Sequence, residues 1–225
     1  MTLSASRFLA LTHEWDTSAS CALSAIISNT LADMFDAGGK DIVFKITCDM
    51  RPVFGSTSRI NMSEAVLLIS GKELRDGPLS KHSAVLRQMM RSQFTKENFG
   101  RLMAASIDAT DVKEGKKRTS EISVPMPRLT YVLTYPGKMD LPEEYSGLVS
   151  DFELKGYFPT DSIRFSIKTT GDELRIGIDQ VFDGNEIIKA ISASFERLGF
   201  ETKVRDEGIF TGDRYSFERL EEAVT

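Results

Sequence analysis

The pattern of apolar and polar positions is most regular between residues 163 and 198. Residues 163–168 and residues 174–179 each alternate between apolar and polar side chains, and Thr170-Gly171-Asp172 between them has the composition of a turn. This period of two predicts two half-buried strands joined as a hairpin. After Asp183-Gly184, apolar residues at helical spacing predict an amphipathic helix. The apolar positions of that helix are Ile187, Ile188, Ile191, Phe195 and Leu198.

The first quarter of the chain predicts a helix followed by a strand. Thr17 or Ser18 is a suitable N-cap, apolar residues at helical spacing follow, and Gly38-Gly39 ends the run. Residues 42–51 then alternate so that one side is apolar throughout, and Pro52 ends the strand because proline has no N–H to donate. We therefore expect this strand to lie against helices.

Weaker signals occupy much of the remaining chain. Residues 3–15 are mixed, and the apolar residues around Phe8 predict a short extended segment. Residues 65–70 and residues 129–135 predict strands, and a long helical region opens near Pro78.

Helices flank several of these strands, so the fold class is α/β or α+β. The length of 225 residues suits one large domain or two small ones. We predict a single domain over residues 1–225, with its core at about residues 15–200. Residues 201–225 are then an edge strand and a charged tail.

Composition and charge narrow the classes of function. Hydrophobic residues make up 41% of the chain and charged residues 27%, as in ordinary globular proteins, and the net charge of −5 argues against a nucleic-acid partner. No uncharged apolar run reaches the roughly 18 residues of a membrane span, and no signal-peptide pattern is visible. A cytoplasmic location is expected. Cys21 and Cys48 lie in apolar surroundings and are expected to be reduced core residues.

The two histidines give no catalytic or metal-binding pattern. His13 and His82 lie outside any HExxH or paired Cys/His spacing, so no metal site is predicted. His82 falls in the first turn of a predicted helix beside Lys81 and is expected to be exposed. Gly71-Lys72 and Gly115-Lys116 lack the other residues of a phosphate-binding loop.

The segment from Ile178 to Gly184 resembles a motif of chloramphenicol-acetyltransferase-like enzymes. In that superfamily, which includes condensation domains, alcohol acetyltransferases and plant acyltransferases, a strand leads into HHxxxDG and then a helix. Here the Asp183-Gly184 pair is kept and both histidines are missing. Since the second histidine is the general base of the family, this departure bears directly on activity.

A second stretch resembles the C-terminal lobe of two-lobed members. There a helix precedes a strand that ends in a D-x-R-like motif, and a loop with an asparagine follows; Asp49, Arg51 and Asn61 correspond here. The order of this stretch and the later hairpin supports the resemblance, which covers roughly residues 15–200. It implies a mixed sheet covered by helices, as in one lobe of that fold.

Asp183 has two interpretations. It is either a turn residue that suits the positive end of the helix dipole, or it keeps the family role of a structural aspartate in a salt bridge with an arginine. Arg51, Arg164 and Arg175 are the possible partners, and the sequence leaves the choice open.

The other candidate residues are weaker. Asp49 and Arg51 are either a surface ion pair or part of a cleft against a partner lobe. Asn61 and Gly184 complete the substrate-binding candidates that the resemblance implies.

The resemblance implies that this chain is the C-terminal lobe of an acyltransferase dependent on coenzyme A or a carrier protein. An N-terminal lobe would supply the histidine, and this lobe would shape the substrate tunnel. No bound cofactor is expected, and acyl-CoA or acyl-phosphopantetheine would be the substrate. The partners would be that lobe or a second copy. The alternatives are a stand-alone binding or assembly protein of the same fold and a single-lobe trimeric acetyltransferase, which the missing histidine disfavours.

Overall fold

In the computed structural model, the described residues include six strands that form one mixed sheet. The structure describes residues 1–35, 37, 39–57, 63–102, 129–137, 163–180 and 185–205. The strands are β1 (Thr2–Ser4), β2 (Ile42–Asp49), β3 (Ser63–Ser70), β4 (Tyr131–Thr134), β5 (Ile163–Thr170) and β6 (Glu173–Asp179). Their order across the sheet is β1-β6-β5-β4-β2-β3. The three central strands β5, β4 and β2 are parallel, and the outer pairs are antiparallel. The predicted α/β class with a mixed sheet is confirmed.

The helices of the described chain vary from a single turn to four turns. They are α1 (Ala5–Glu14), α2 (Ala19–Met34), α3 (Arg51–Phe54), α4 (Lys72–Arg75), α5 (Leu79–Gln93) and α6 (Glu186–Arg197). Residues 96–102 are also helical. The predicted helices that follow Ser18, Pro78 and Asp183-Gly184 correspond to α2, α5 and α6.

Helix α2 is the central helix of the core. The Ser18 side chain caps it by accepting a hydrogen bond from the Cys21 N–H at 3.3 Å. Residues 21–28 are all buried, so the helix is enclosed on every side. It packs on α5 and α6 as well as on the sheet. The apolar run that predicted this helix therefore lies at the centre of the fold.

The β5–β6 hairpin follows its turn chemistry. Gly171 has a φ of 57°, a left-handed conformation that favours glycine. The Asp172 carboxylate accepts hydrogen bonds from the Ser6 N–H at 2.7 Å and the Ser4 hydroxyl at 3.0 Å. The turn is thereby joined to the start of α1, and the predicted hairpin is confirmed.

The two faces of the sheet differ in burial. Side chains on one face, here called the apolar face, are at most 7% exposed and lie beneath the helices. They are Ile42, Phe44, Ile46, Tyr131, Leu133, Ile163, Phe165, Ile167, Leu174 and Ile176. The opposite side, here called the polar face, carries charged and hydroxyl side chains, with Val43, Val132, Leu67 and Ile69 among them. The charged and hydroxyl residues are Lys45, Thr47, Asp49, Thr134, Arg164, Ser166, Lys168, Arg175 and Asp179. Strand alternation places the two sets on opposite sides of the same strands.

The N-terminal segment differs from its prediction. Residues 3–15 were expected to include an extended segment around Phe8, but Ala5–Glu14 is helical and only Thr2–Ser4 is a strand. Phe8 is fully buried, and its ring packs against Phe195 at 6.0 Å and Phe200 at 6.3 Å between centroids. Apolar burial therefore overrides the weak local signal, and the core includes residues before position 15.

The edge strand predicted at the start of residues 201–225 is reduced to one bridge. Thr2 and Lys203 exchange two backbone hydrogen bonds, of 2.9 and 3.0 Å. Strand β1, which the sequence did not predict, is the outermost strand beside β6 in the described part of the sheet. The charged tail from residue 206 onward lies outside the described residues.

Candidate functional site

Asp49 and Arg51 meet at the carboxyl end of β2. The Asp49 carboxylate accepts a hydrogen bond from the Arg51 backbone N–H at 3.0 Å and another from Arg51 Nη1 at 3.1 Å. The one-turn helix α3 starts here and ends at Gly55, whose φ is 63°. The side chains of Asp49 and Arg51 are 50% and 37% exposed, so this is a surface ion pair of small energy.

A row of small side chains crosses the polar face next to this pair. Thr47 and Thr134 are register partners, and their Oγ1 atoms are 3.2 Å apart. The register continues to Ser166 and Gly177 on one side and to Ala65 on the other. Hydroxyl groups from three neighbouring strands therefore lie side by side in the middle of this face.

Long charged side chains occupy the adjacent rows. Lys45, Arg164 and Asp179 are level with one another on one side of the small row. On the other side, Lys168 is the register partner of Arg175. Lys168 is only 4% exposed, although it belongs to the polar face. The small row is therefore flanked by charged side chains on both sides.

The two strands that lead to the predicted motifs run in opposite directions, so their last residues lie at opposite ends of the sheet along the strand direction. The strand β2 runs toward Asp49, whereas β6 runs the other way and ends at Asp179. By the register, these two residues are separated by about 13 Å along the strands and about 14 Å across them. A single cleft that borders both motifs would have to span this distance.

Three predicted site residues lie outside the described residues. They are Asn61, Asp183 and Gly184. On the described side of the Asp-Gly turn, α6 begins at Glu186, and its N-cap Asn185 makes no side-chain capping bond. The predicted roles of these three residues remain predictions.

The three arginines considered as partners of Asp183 have distinct positions. Arg51 is paired with Asp49, and Arg175 is paired with Glu173, whose carboxylate accepts from its Nη2 at 2.8 Å. Arg164 lies opposite Asp179 in the register, at the end of β6 that leads to the Asp-Gly turn. Among the three, Arg164 therefore has the backbone position nearest that end of β6.

His82 is buried, which corrects the prediction that it is exposed. Its Nε2 lies 3.0 Å from Ser70 Oγ, and both residues have no exposed surface. Among the described residues, His82 Nδ1 has no hydrogen-bond partner. Burial, with the Arg75 guanidinium nearby, lowers the pKa of His82 from 6.5 to about 4. Although a Ser–His contact is the arrangement of an activated nucleophile, this one is closed to any substrate.

The position of His82 could have been found from helical spacing. It precedes Leu86 by four residues, so it lies on the stripe that faces the core. The prediction that His82 is exposed follows instead from the polar character of histidine and from its place beside Lys81. His13, by contrast, is exposed on α1.

Both cysteines are buried and free, as predicted. Burial raises the pKa of the Cys48 thiol to about 11 and also raises the pKa of Cys21. The thiolate form is thus disfavoured at both positions, so neither has the character of a nucleophile. Within the described ranges, no cluster of three His, Cys, Asp or Glu could hold a metal ion. No helix there has the length and apolar content needed to cross a membrane.

Sequence comparison gives no relative for this chain. No family model matches it, and no curated protein sequence matches it. The solved structures do give matches.

The structure of TRI101 from F. sporotrichioides, in complex with coenzyme A and T-2, aligns with a TM-score of 0.59 at 15% identity, covering 88% of this chain and 49% of that one. The first condensation domain of the CDA synthetase aligns at 0.54, with 13% identity over 88% of this chain and 42% of that one. The PapA2 acyl transferase aligns at 0.52, with 12% identity over 88% and 43%.

These matches cover a larger share of this chain than of the solved structures. They include most of this chain, yet the chain spans only about half the length of the solved structures it resembles. The fold of this chain is therefore similar to that of about half of each of these structures, and the predicted chloramphenicol-acetyltransferase-like fold is confirmed.

Proposed function

We propose that this chain is the C-terminal lobe of a two-lobed acyltransferase that uses an acyl thioester of coenzyme A or of a carrier phosphopantetheine. The observation that carries the proposal is the uneven coverage: 88% of this chain aligns with 49% of TRI101 and with 43% of PapA2. TRI101 was solved with coenzyme A, which supports the thioester as the substrate class.

The general base of this proposal comes from the other lobe. No histidine occurs in residues 178–180, the segment that corresponds to the start of HHxxxDG. His82 is closed to substrate, and His13 lies exposed on α1 without the motif around it. The base of the partner lobe would deprotonate an alcohol, amine or thiol, which then attacks the acyl carbon and releases the thiol of the carrier.

This lobe would form one wall of the substrate tunnel. We assign that role to Asp49 and Arg51, together with Asn61 and Gly184, and we assign Asp183 a structural salt bridge. The exposed ion pair at the end of β2 supports the first assignment, because a charged pair at a strand end is available to a neighbouring lobe. The nearby end of β6 favours Arg164 as the partner of Asp183.

A second candidate function is a stand-alone binding or assembly protein. The replacement of both family histidines within residues 178–184 favours it. The reading frame of the gene distinguishes the two: an upstream HHxxxDG segment supports the acyltransferase, and its absence supports the stand-alone protein.

An acyl-transfer assay tests the main proposal. The isolated chain is mixed with acetyl-coenzyme A and an alcohol or amine, and thiol release is followed with a chromogenic reagent; a blank without acceptor corrects for Cys21 and Cys48. We expect no release above the blank, and turnover once the lobe carrying HHxxxDG is added. Turnover by the isolated chain that disappears in His13→Ala or His82→Ala would contradict the proposal.

A further inference from the structure

Strand β3 has the composition of a strand that pairs readily with others. Residues Ala65 to Ile69 are Ala-Val-Leu-Leu-Ile, without charge, proline or glycine. In the part of the sheet that the structure describes, β3 is the last strand and pairs with β2 alone. Uncharged apolar edge strands are templates for addition of another strand unless something blocks them.

Two side chains form hydrogen bonds with backbone groups of this strand. Gln93 Nε2 donates a hydrogen bond to the Leu67 carbonyl oxygen at 2.7 Å, and the Ala65 N–H donates to Glu64 Oε1 at 2.9 Å. Ala65 and Leu67 are two residues apart, so their backbone groups point to the same side of the strand. In an antiparallel pair, the backbone N–H and C=O groups of alternate residues point away from the paired strand. The groups of Ala65 and Leu67 therefore point away from β2, where an added strand would bond to them.

Gln93 is held in this position by the rest of α5. The first turn of the helix is tied to β3 by the contact between His82 and Ser70, and the last turn is tied to it by Gln93. The Gln93 carbonyl oxygen also accepts a hydrogen bond from Asn98 Nδ2 at 2.9 Å. Hydrogen bonds therefore hold Gln93 through both its side-chain amide and its backbone carbonyl.

We propose that Gln93 closes the β3 edge, and that β3 pairs with β3 of a second copy of this chain when the Gln93 amide is removed. Two identical strands in antiparallel orientation about a twofold axis present the same groups to each other, so the contact is self-complementary. Residues 65–69 carry no charge of their own, and the charge nearest to them is the Glu64 carboxylate that accepts from the Ala65 N–H. A second copy is therefore the occupant that fits this edge.

The test replaces Gln93 without disturbing the helix. Gln93→Met and Gln93→Leu keep the helix-forming tendency but cannot donate to the Leu67 carbonyl, while Gln93→Lys keeps a donor and adds an edge charge. The matched control is Gln88→Met, at an exposed position of the same helix. Light scattering across a concentration series should show the mean mass of the Met and Leu variants rising toward twice the single-chain mass. The Gln93→Lys and Gln88→Met variants should follow the wild-type chain.

A second substitution shows whether the association runs through β3. Adding Ile69→Lys, at a position that is 39% exposed, places a charge in the new strand pair and should return the Gln93→Met chain to wild-type behaviour. Association of the Met and Leu variants no stronger than that of Gln88→Met would overturn the proposal. Association that Ile69→Lys leaves unchanged would overturn it too, because the contact would then lie elsewhere.

Discussion

The apolar and polar faces of the sheet come from the same strands but differ in what holds their side chains. On the apolar face, the ring of Tyr131 stacks on Phe44 at 4.6 Å and meets the ring of Phe165 edge-on at 5.4 Å. On the polar face, Thr47 and Thr134 share a single contact of 3.2 Å between partly buried hydroxyl groups. Close packing stabilises the apolar face, whereas polar contacts between side chains join neighbouring strands on the polar face.

The largest expected difference between the faces is in the free energy of unfolding. Ile176→Ala, at a fully buried position of the apolar face, should lower it by about 2–5 kcal/mol because a cavity is left. Ser166→Ala, on the polar face, should change it by less than about 1 kcal/mol. Urea unfolding of both variants measures the contrast. Equal losses would mean that the two faces share the stabilisation.

The second expected effect is a pH dependence of the free energy of unfolding, which comes from the buried His82. The pKa of His82 is near 6.5 in the unfolded chain and about 4 in the folded one, so the unfolded state binds the proton more tightly. His82 therefore contributes no destabilisation above pH 6.5, and stability falls as the pH drops from 6.5 toward 4. The loss at pH 4 should be of the order of 3 kcal/mol.

His82→Gln isolates this contribution. Unfolding of the variant between pH 7 and pH 4 should lack the part of the loss that is due to His82, whereas the exposed control His13→Gln should follow the wild-type chain. A His82→Gln profile parallel to that of the wild-type chain would show that the buried histidine is not the sensitive group.

The smallest expected effect on stability lies at the end of β2. Arg51→Ala should lower the free energy of unfolding by about 0.2–1 kcal/mol, since the Asp49–Arg51 pair is exposed. If Arg51 faces a partner lobe, the same variant should weaken co-purification with that lobe by a larger factor than Ser166→Ala does. A stability loss above about 2 kcal/mol would instead make the pair a structural one.

Local chemistry explains which parts were predictable from the sequence. The β5–β6 hairpin and the start of α2, predicted at Thr17 or Ser18, depend on residues a few positions apart, so alternation, turn composition and capping chemistry predicted them. The Asp49–Arg51 contact is equally local. The contacts of Phe8 with Phe195 and of His82 with Ser70 join separate elements, and no local pattern predicts their partners. For the same reason, the closeness of Arg164 to the end of β6 required the sheet register.

The position of β1 has a consequence for the kinetics of folding. Thr2 pairs with Arg175, so one of the first residues of this sequence needs a partner 173 residues later. At synthesis rates of about 5–20 residues per second, β1 waits roughly 10–35 s for the β6 hairpin to appear. Long-range pairing of this kind slows folding, because the chain loses loop-closure entropy before the stabilising contacts between the two strands form. Stopped-flow refolding should accordingly place the burial of Phe8 among the late events, after the hairpin has formed.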